Sequence, residues 1–169
     1  MPRLELEEIA EKVCEGRDAF HIFIVHGDTG GRALAEQIGY RTCALCERID
    51  TACNFPRVRC VVAAPNRETE AWTLADISSI RRVFGISPTA NLGNMPTRPS
   101  EVEYLQDPKR VAQDFLETIQ GGPRRKRARW PFERIAQEQD INLLLQVPSF
   151  REFAEALKQA LRSLGHPNI

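Results

Sequence analysis

One stretch decides the fold: His21-Ile22-Phe23-Ile24-Val25-His26-Gly27-Asp28-Thr29-Gly30-Gly31-Arg32. Its four consecutive apolar residues, Ile22 to Val25, are typical of a strand that is covered on both faces of a sheet. The glycines that follow allow a sharp turn and a close approach of the backbone to a ligand. Ligands of open α/β sheets bind outside the carboxyl ends of the strands. The stretch therefore predicts an α/β fold with Asp28 at a functional edge of the sheet.

A second apolar strand is predicted over 59–65, and periodicity predicts one continuous helix after it, over 67–84. Glu70 lies about two turns before Ile77, which predicts that it shares the apolar face of that helix. An acid in this place is a candidate site residue, although it could also complement the helix dipole. Asp76 lies on another face, where it could join a metal site, cap a neighbouring loop or accept the indole N–H of Trp72.

The rest of the chain is predicted to be mainly helical, and its 169 residues with 42% hydrophobic content suit one soluble domain. We expect an N-terminal helix within 1–16, an α/β core over 17–120, and a basic loop with C-terminal helices over 121–169. Helical segments are predicted at 4–15, 32–50, 107–120, 132–138 and 148–164, and the apolar segment 141–147 is either a strand or a helical turn.

The charge balance excludes a general attraction to nucleic acid or membranes, because 23 basic residues offset 23 acidic ones. No apolar run approaches the roughly 20 residues of a membrane span. The N-terminus is acidic and lacks an apolar signal core, so we expect a cytoplasmic protein without a membrane partner. A local basic run beside Trp130 would suit a phosphate backbone, or it is a solvated loop that offsets acidic helices. This run comprises Arg124, Arg125, Lys126, Arg127 and Arg129.

Five cysteines, an odd number, predict free thiols or a metal site rather than disulfides. The Cys43-x-x-Cys46 spacing is known from zinc ligation, and Cys53 and Cys60 could complete a zinc site. A zinc ribbon usually has two close pairs, however, and a redox Cys-x-x-Cys pair usually opens a helix. Here the pair is predicted to lie inside a helix. Buried, inert thiols are therefore the favoured interpretation and zinc the less favoured one.

Four motifs in this order give the chain a family resemblance. They are His26-Gly27-Asp28, the segment from Arg67 to Asp76, Asp107-Pro108-Lys109, and Leu144-Leu145-Gln146-Val147-Pro148-Ser149-Phe150. The pattern resembles the Toprim-like family filed as domain of unknown function 4276. The resemblance covers nearly the whole chain from Phe20 onward, and the Glu-Ala-Trp string with its later Ala-Asp is the most specific part.

The resemblance implies a Toprim-like α/β fold, a three-layer sheet with helices on both faces and a helical C-terminal part. In related Toprim enzymes an acidic cluster binds Mg²⁺ for phosphodiester chemistry on nucleic acid. By that likeness Asp28, Glu70 and Asp76 are the predicted metal ligands. His26, two residues before Asp28, would assist catalysis, although a structural histidine at the end of the strand is the favoured interpretation. Magnesium suits such a site because it prefers carboxylate oxygens and retained waters. The resemblance also implies a partner, an ATPase of a prokaryotic anti-phage or repair system. A degenerate subunit could instead bind a second copy of itself.

Two features depart from the Toprim pattern. The Asp-x-Asp that follows the strand is here Asp28-Thr29-Gly30, which retains one acid. Toprim domains also place a glutamate-bearing strand one βα unit earlier, and the 27 residues before Asp28 contain no such strand. The motif is therefore missing, unless the true start of the protein lies upstream of Met1. The sequence therefore leaves three functions open: a magnesium-dependent nuclease-like enzyme, a degenerate non-catalytic subunit, and a zinc-stabilised binding module.

Overall fold

The structure is a computed structural model that describes residues 6–28, 43–119 and 129–167. These residues form a mixed α/β arrangement in which helices predominate over one small sheet. They divide into two compact units, the first comprising Met1–Ala64 and Glu152–Ile169, and the second Pro65–Arg151. The coarse α/β class predicted from the sequence is confirmed.

The first unit contains a two-stranded parallel sheet with helices beside it. Strand β1 (Phe23–His26) pairs with strand β2 (Cys60–Ala63), so that Phe23 lies opposite Cys60 and His26 opposite Ala63. Helix α1 (Leu6–Glu15) packs against helix α2 (Cys43–Cys53). Short 3-10 turns cover Arg17–Ala19 and Arg57–Arg59. The predicted N-terminal helix and both predicted strands are therefore confirmed.

Strand β1 is less covered than its sequence predicts. Val25 is buried, whereas Ile24 is 48% exposed. The expectation of a strand covered on both faces is therefore wrong at Ile24, because alternate residues of a strand point to opposite faces and only one of these is buried. The core of this unit is formed by residues of α1, β1, α2, β2 and the segment before β2, namely Ala10, Val13, Val25, Leu45, Cys46, Ile49, Phe55 and Cys60.

The second unit is helical. Its elements are α3 (Glu70–Thr73), α4 (Ile77–Phe84), a 3-10 turn (Pro99–Tyr104), α5 (Pro108–Ile119), α6 (Phe132–Glu138), α7 (Ile141–Leu144) and the start of α8 (Pro148–Ser163). Helix α8 continues into residues that belong to the first unit. The predicted helices α5, α6 and α8 are confirmed, and the ambiguous segment 141–147 begins with a helical turn. The core of the second unit comprises Ala71, Leu74, Ala75, Ile80, Met95, Val102, Ala112, Phe115, Ile135, Leu144 and Val147.

The prediction of one continuous helix over 67–84 is wrong, because the helical backbone is interrupted between α3 and α4. Asp76 has extended backbone angles (φ −115°, ψ 93°) and is the N-cap of α4. Aspartate favours this position because its carboxylate accepts the N–H groups that the first helical turn leaves unpaired. Glu70 and Ile77 therefore belong to different helices, so the prediction that they share one helical face is wrong.

Glu101 at the start of the Pro99–Tyr104 turn provides a titration prediction. Its carboxylate accepts hydrogen bonds from the Arg98 guanidinium and from the backbone N–H groups of Thr97 and Arg98. These bonds, the Arg98 side chain first, lower the pKa of Glu101 from 4.5 to about 2. We expect NMR detection of its carboxyl carbon to show a midpoint near 2, and Arg98→Ala to move that midpoint upward.

The sign of the effect on stability follows from the same pKa. Because the folded value lies below the unfolded one, the contribution of Glu101 is present above pH 4.5 and is lost as the pH falls toward 2. A midpoint above 4 in the wild-type protein would contradict the hydrogen-bond arrangement. Arg162→Ala, on the last turn of α8, is a matched control that leaves the midpoint unchanged.

Candidate functional site

His26 and Asp28 lie together at the carboxyl end of β1. Nε2 of His26 is 3.6 Å from Oδ1 of Asp28, and the two side chains are 51% and 47% exposed. The N–H of Gly27 donates to the carbonyl of Ala63 at 3.1 Å, which continues the pairing with β2 beyond the strand. Gly27, which separates the two residues, is thereby held beside β2. An imidazole beside a carboxylate at this edge can orient a proton or contribute to a hydrated cation site.

Asp76 has a capping role in the second unit. Its side chain is buried, and Oδ1 accepts the N–H groups of Ser78 at 2.9 Å and Ser79 at 3.1 Å. Oδ2 accepts the N–H of Asp140 at 3.0 Å, which ties α4 to the start of α7. Both oxygens are therefore used by the fold. Of the roles that the sequence left open for Asp76, capping is the one that this geometry supports.

Glu70 is the first residue of α3 and is partly buried. It belongs to the second unit, whereas Asp28 belongs to the first. The pairing of these two carboxylates around one cation remains a prediction from the sequence. His26 and Asp28 are the predicted site residues that the structure brings together.

Trp72 anchors a polar network inside the second unit. Its indole N–H donates to Oγ of Ser149 at 2.8 Å, and its ring meets Phe150 edge-on with centroids 5.1 Å apart. Ser149 in turn donates both its hydroxyl and its backbone N–H to Oε1 of Glu103. The amide of Gln139 donates to the Trp72 carbonyl at 2.9 Å. The tryptophan of the most specific motif thus joins α3 to the start of α8.

Two further polar residues of the motif, and Asn66 just before it, bond to partners in the second unit. Oε2 of Glu68 accepts the N–H of Lys109 at 3.1 Å, in the first turn of α5. Nδ2 of Asn66 donates to the carbonyl of Glu103 at 2.7 Å. The hydroxyl of Thr73 accepts the indole N–H of Trp130 at 2.8 Å. The segment therefore supplies a polar framework for the helices around it.

The cysteines form two disulfides, Cys14–Cys53 and Cys46–Cys60, while Cys43 is a free thiol. The expectation of inert free thiols is therefore wrong for four of the five cysteines. Three of the four proposed zinc ligands, Cys46, Cys53 and Cys60, are in disulfides. A zinc site needs thiolates, so this oxidation state does not offer the predicted ligand set. Composition missed the pairing because the bonded residues are 39 and 14 positions apart and meet only in the folded chain.

The predicted nucleic-acid-binding run falls largely outside the described residues. Arg124, Arg125, Lys126 and Arg127 lie there, and only Arg129 of the run is described, as an exposed residue. The phosphate-binding interpretation of this run remains a prediction.

A groove of about 600 Å³ lies between α1 and α2 in the first unit. The groove is lined mainly by glutamate and alanine side chains, and an ion pair between Glu7 and Arg48 forms part of the lining. None of the predicted site residues lines this groove, so it gives no support to the predicted catalytic residues.

Within the ranges that the structure describes, no group of three or more His, Cys, Asp or Glu side chains is arranged to hold a metal ion. No helix in those ranges has the length and hydrophobicity needed to cross a bilayer. The chain has no significant match among protein-family models, curated proteins or solved structures.

Proposed function

We propose that this protein is a Toprim-like, non-catalytic subunit that binds a protein partner. The proposed fold is the three-layer arrangement with helices on both faces of a sheet. The observation that carries the proposal is the buried carboxylate of Asp76, whose two oxygens accept three backbone N–H groups. An acid that the family pattern predicts for metal binding is here engaged in holding two helices.

The neighbouring acids support the same interpretation. Glu68 accepts a backbone N–H of α5, and Glu103 accepts the N–H and hydroxyl of Ser149. A magnesium site needs several carboxylate oxygens with room for retained waters. Carboxylates engaged with backbone groups stabilise the fold instead. A chain that keeps the motif for its architecture fits a degenerate subunit better than an enzyme.

The partner that we propose is an ATPase of a prokaryotic defence or repair system, and the alternative is a second copy of the chain. Tyr104 offers a surface to test, because 81% of it is exposed. Tyrosine is enriched among the residues that dominate binding energy at protein interfaces.

The proposal predicts a stable complex when the full chain is co-expressed with an ATPase encoded next to it. We expect Tyr104→Ala to weaken the complex about tenfold or more, as truncation of an interface anchor does. Calorimetric titration of the purified proteins measures the change. Asp114→Ala, on an exposed face of α5, is the matched control and should bind normally. A chain that stays monomeric and binds no ATPase would contradict the proposal.

The pair of His26 and Asp28 favours a second candidate, magnesium-dependent cleavage of phosphodiesters at the carboxyl end of β1. The carboxylate of Asp28 would hold the cation. Bound magnesium would neutralise phosphate charge and activate water. His26, 3.6 Å from Asp28, would move a proton, and the basic run from Arg124 to Arg129 would attract the nucleic acid.

This second candidate predicts cleavage of single- or double-stranded DNA or RNA in the presence of Mg²⁺ or Mn²⁺. We expect Asp28→Ala to lower the rate by about 100-fold or more, because a bound cation supplies several kcal/mol of transition-state stabilisation. His26→Ala should have a smaller effect, and Asp114→Ala none. Wild-type protein that cleaves nothing, or an Asp28→Ala variant with full activity, would exclude this function.

A further inference from the structure

Three cysteines belong to α2 and β2, two of them joined in a disulfide and the third a free thiol. The Cys46–Cys60 disulfide joins α2 to the first residue of β2. The free thiol Cys43 lies three positions before Cys46 on the same helix. The Arg57 guanidinium connects the group, because Nη2 donates to Sγ of Cys43 at 3.7 Å and Nη1 to the carbonyl of Cys60 at 2.9 Å. One guanidinium therefore contacts both the free thiol and a residue of the disulfide.

We propose that Cys43, Cys46 and Cys60 form an intramolecular thiol–disulfide exchange site. Cys43 first loses its proton to solvent, and its thiolate attacks Sγ of Cys46. The Cys46–Cys60 bond breaks as the Cys43–Cys46 bond forms, and Cys60 leaves as a thiolate that takes up a proton. One disulfide and one thiol are present before and after the step, so it needs neither an oxidant nor a reductant.

Helix geometry favours Cys46 as the sulfur that is attacked. Residues three apart on an α-helix have Cα atoms about 5 Å apart and side chains on one face. This separation lies within the range of roughly 4.4–6.8 Å that disulfides span. Cys43 and Cys46 can therefore be joined with little movement of the helix backbone.

Burial gives the exchange a consequence. Cys46 is 0% and Cys60 3% exposed, so a thiol in solution has little access to their disulfide. Cys43 is partly exposed, and a disulfide transferred to it becomes open to attack from solution. Exchange would also release β2 from its covalent link to α2. The site thus relays reduction from the surface to a bond that holds the sheet to a helix.

Reduction by glutathione of the full-length protein, purified without reductant, tests the proposal. Samples are quenched in acid at intervals, alkylated and digested with trypsin. In the starting state peptide 42–48, which carries Cys43 and Cys46, is joined to peptide 60–67, which carries Cys60. In the exchanged state peptide 42–48 is bridged internally and peptide 60–67 is alkylated. Mass spectrometry distinguishes the two.

We expect Cys43→Ser to slow the opening of the Cys46–Cys60 bond about tenfold or more, because the internal route is lost. Cys43→Ala should give the same result. The Cys14–Cys53 bond, followed in the same samples through peptides 13–17 and 49–57, is the internal control and should open at the wild-type rate in both variants. Circular dichroism checks that the variants fold. If the Cys46–Cys60 bond opens as fast without Cys43 as with it, the proposal is wrong.

Discussion

Replacing Asp76 by alanine is expected to lower the free energy of unfolding by about 3 kcal/mol. Three backbone N–H groups lose their acceptor in this variant, two at the start of α4 and one at Asp140. Loss of the N-cap, with its bonds to Ser78 and Ser79, costs about 0.5–2 kcal/mol, and the Asp140 N–H left without its acceptor adds roughly 1–3 kcal/mol. Urea unfolding followed by tryptophan fluorescence measures the change, since Trp72 and Trp130 both pack against the core of the second unit.

Asp76→Asn separates capping from metal binding. Its amide oxygen can still accept the N–H groups of Ser78 and Ser79, so we expect a loss of about 1–2 kcal/mol. Asp114→Ala removes only an exposed ion pair with Arg110 and should cost at most about 0.5 kcal/mol. A metal ligand would behave differently. Mg²⁺ would then stabilise the wild-type protein but not the Asp76→Ala variant, and without Mg²⁺ the two proteins would have nearly the same free energy of unfolding. That outcome would contradict the capping role.

Trp72→Ala is expected to lower the free energy of unfolding by about 4 kcal/mol, in the range for tryptophan truncated within a core. The variant loses the ring that packs edge-on against Phe150 and the indole N–H that bonds to Ser149. Trp130 remains as the fluorescent probe of the same unit. A loss below about 1 kcal/mol would show that the motif tryptophan is not structural.

A double-mutant cycle isolates the hydrogen bond. Trp72→Phe keeps a ring beside Phe150 but removes the donor, and Ser149→Ala removes the acceptor. We expect each change to cost about 1 kcal/mol or more and the pair to be coupled by at least roughly 0.5 kcal/mol. Fully additive effects would mean that the Trp72–Ser149 contact contributes nothing of its own.

Elements that depend on local pattern were predicted well from the sequence. The apolar runs gave both strands, and helical periodicity gave α1, α5, α6 and α8. The break between α3 and α4 was missed because apolar residues continue through it, and periodicity does not register one residue with extended backbone angles. Asp76 itself was the available signal, since aspartate is a strong N-cap and could have ended one helix and begun another.

The candidate site was predicted only in part. The sequence placed His26 and Asp28 correctly at the carboxyl end of β1, because that position follows from the strand and the turn. The hydrogen-bond partners of Trp72 and Ser149 could not be predicted from the sequence, because Ser149 is 77 positions from Trp72 and 46 from Glu103. Such contacts, like the two disulfides, depend on tertiary packing that a single sequence does not encode in any local pattern.

The division of the chain into one continuous and one interrupted unit sets an order for biosynthesis. Every residue of Pro65–Arg151 has left the ribosome before the closing segment Glu152–Ile169 emerges. Translation is slow enough for completed parts of a chain to fold first. The helical unit therefore needs no residue beyond Arg151 to be complete, whereas the interrupted unit is incomplete until Glu152–Ile169 has been synthesised.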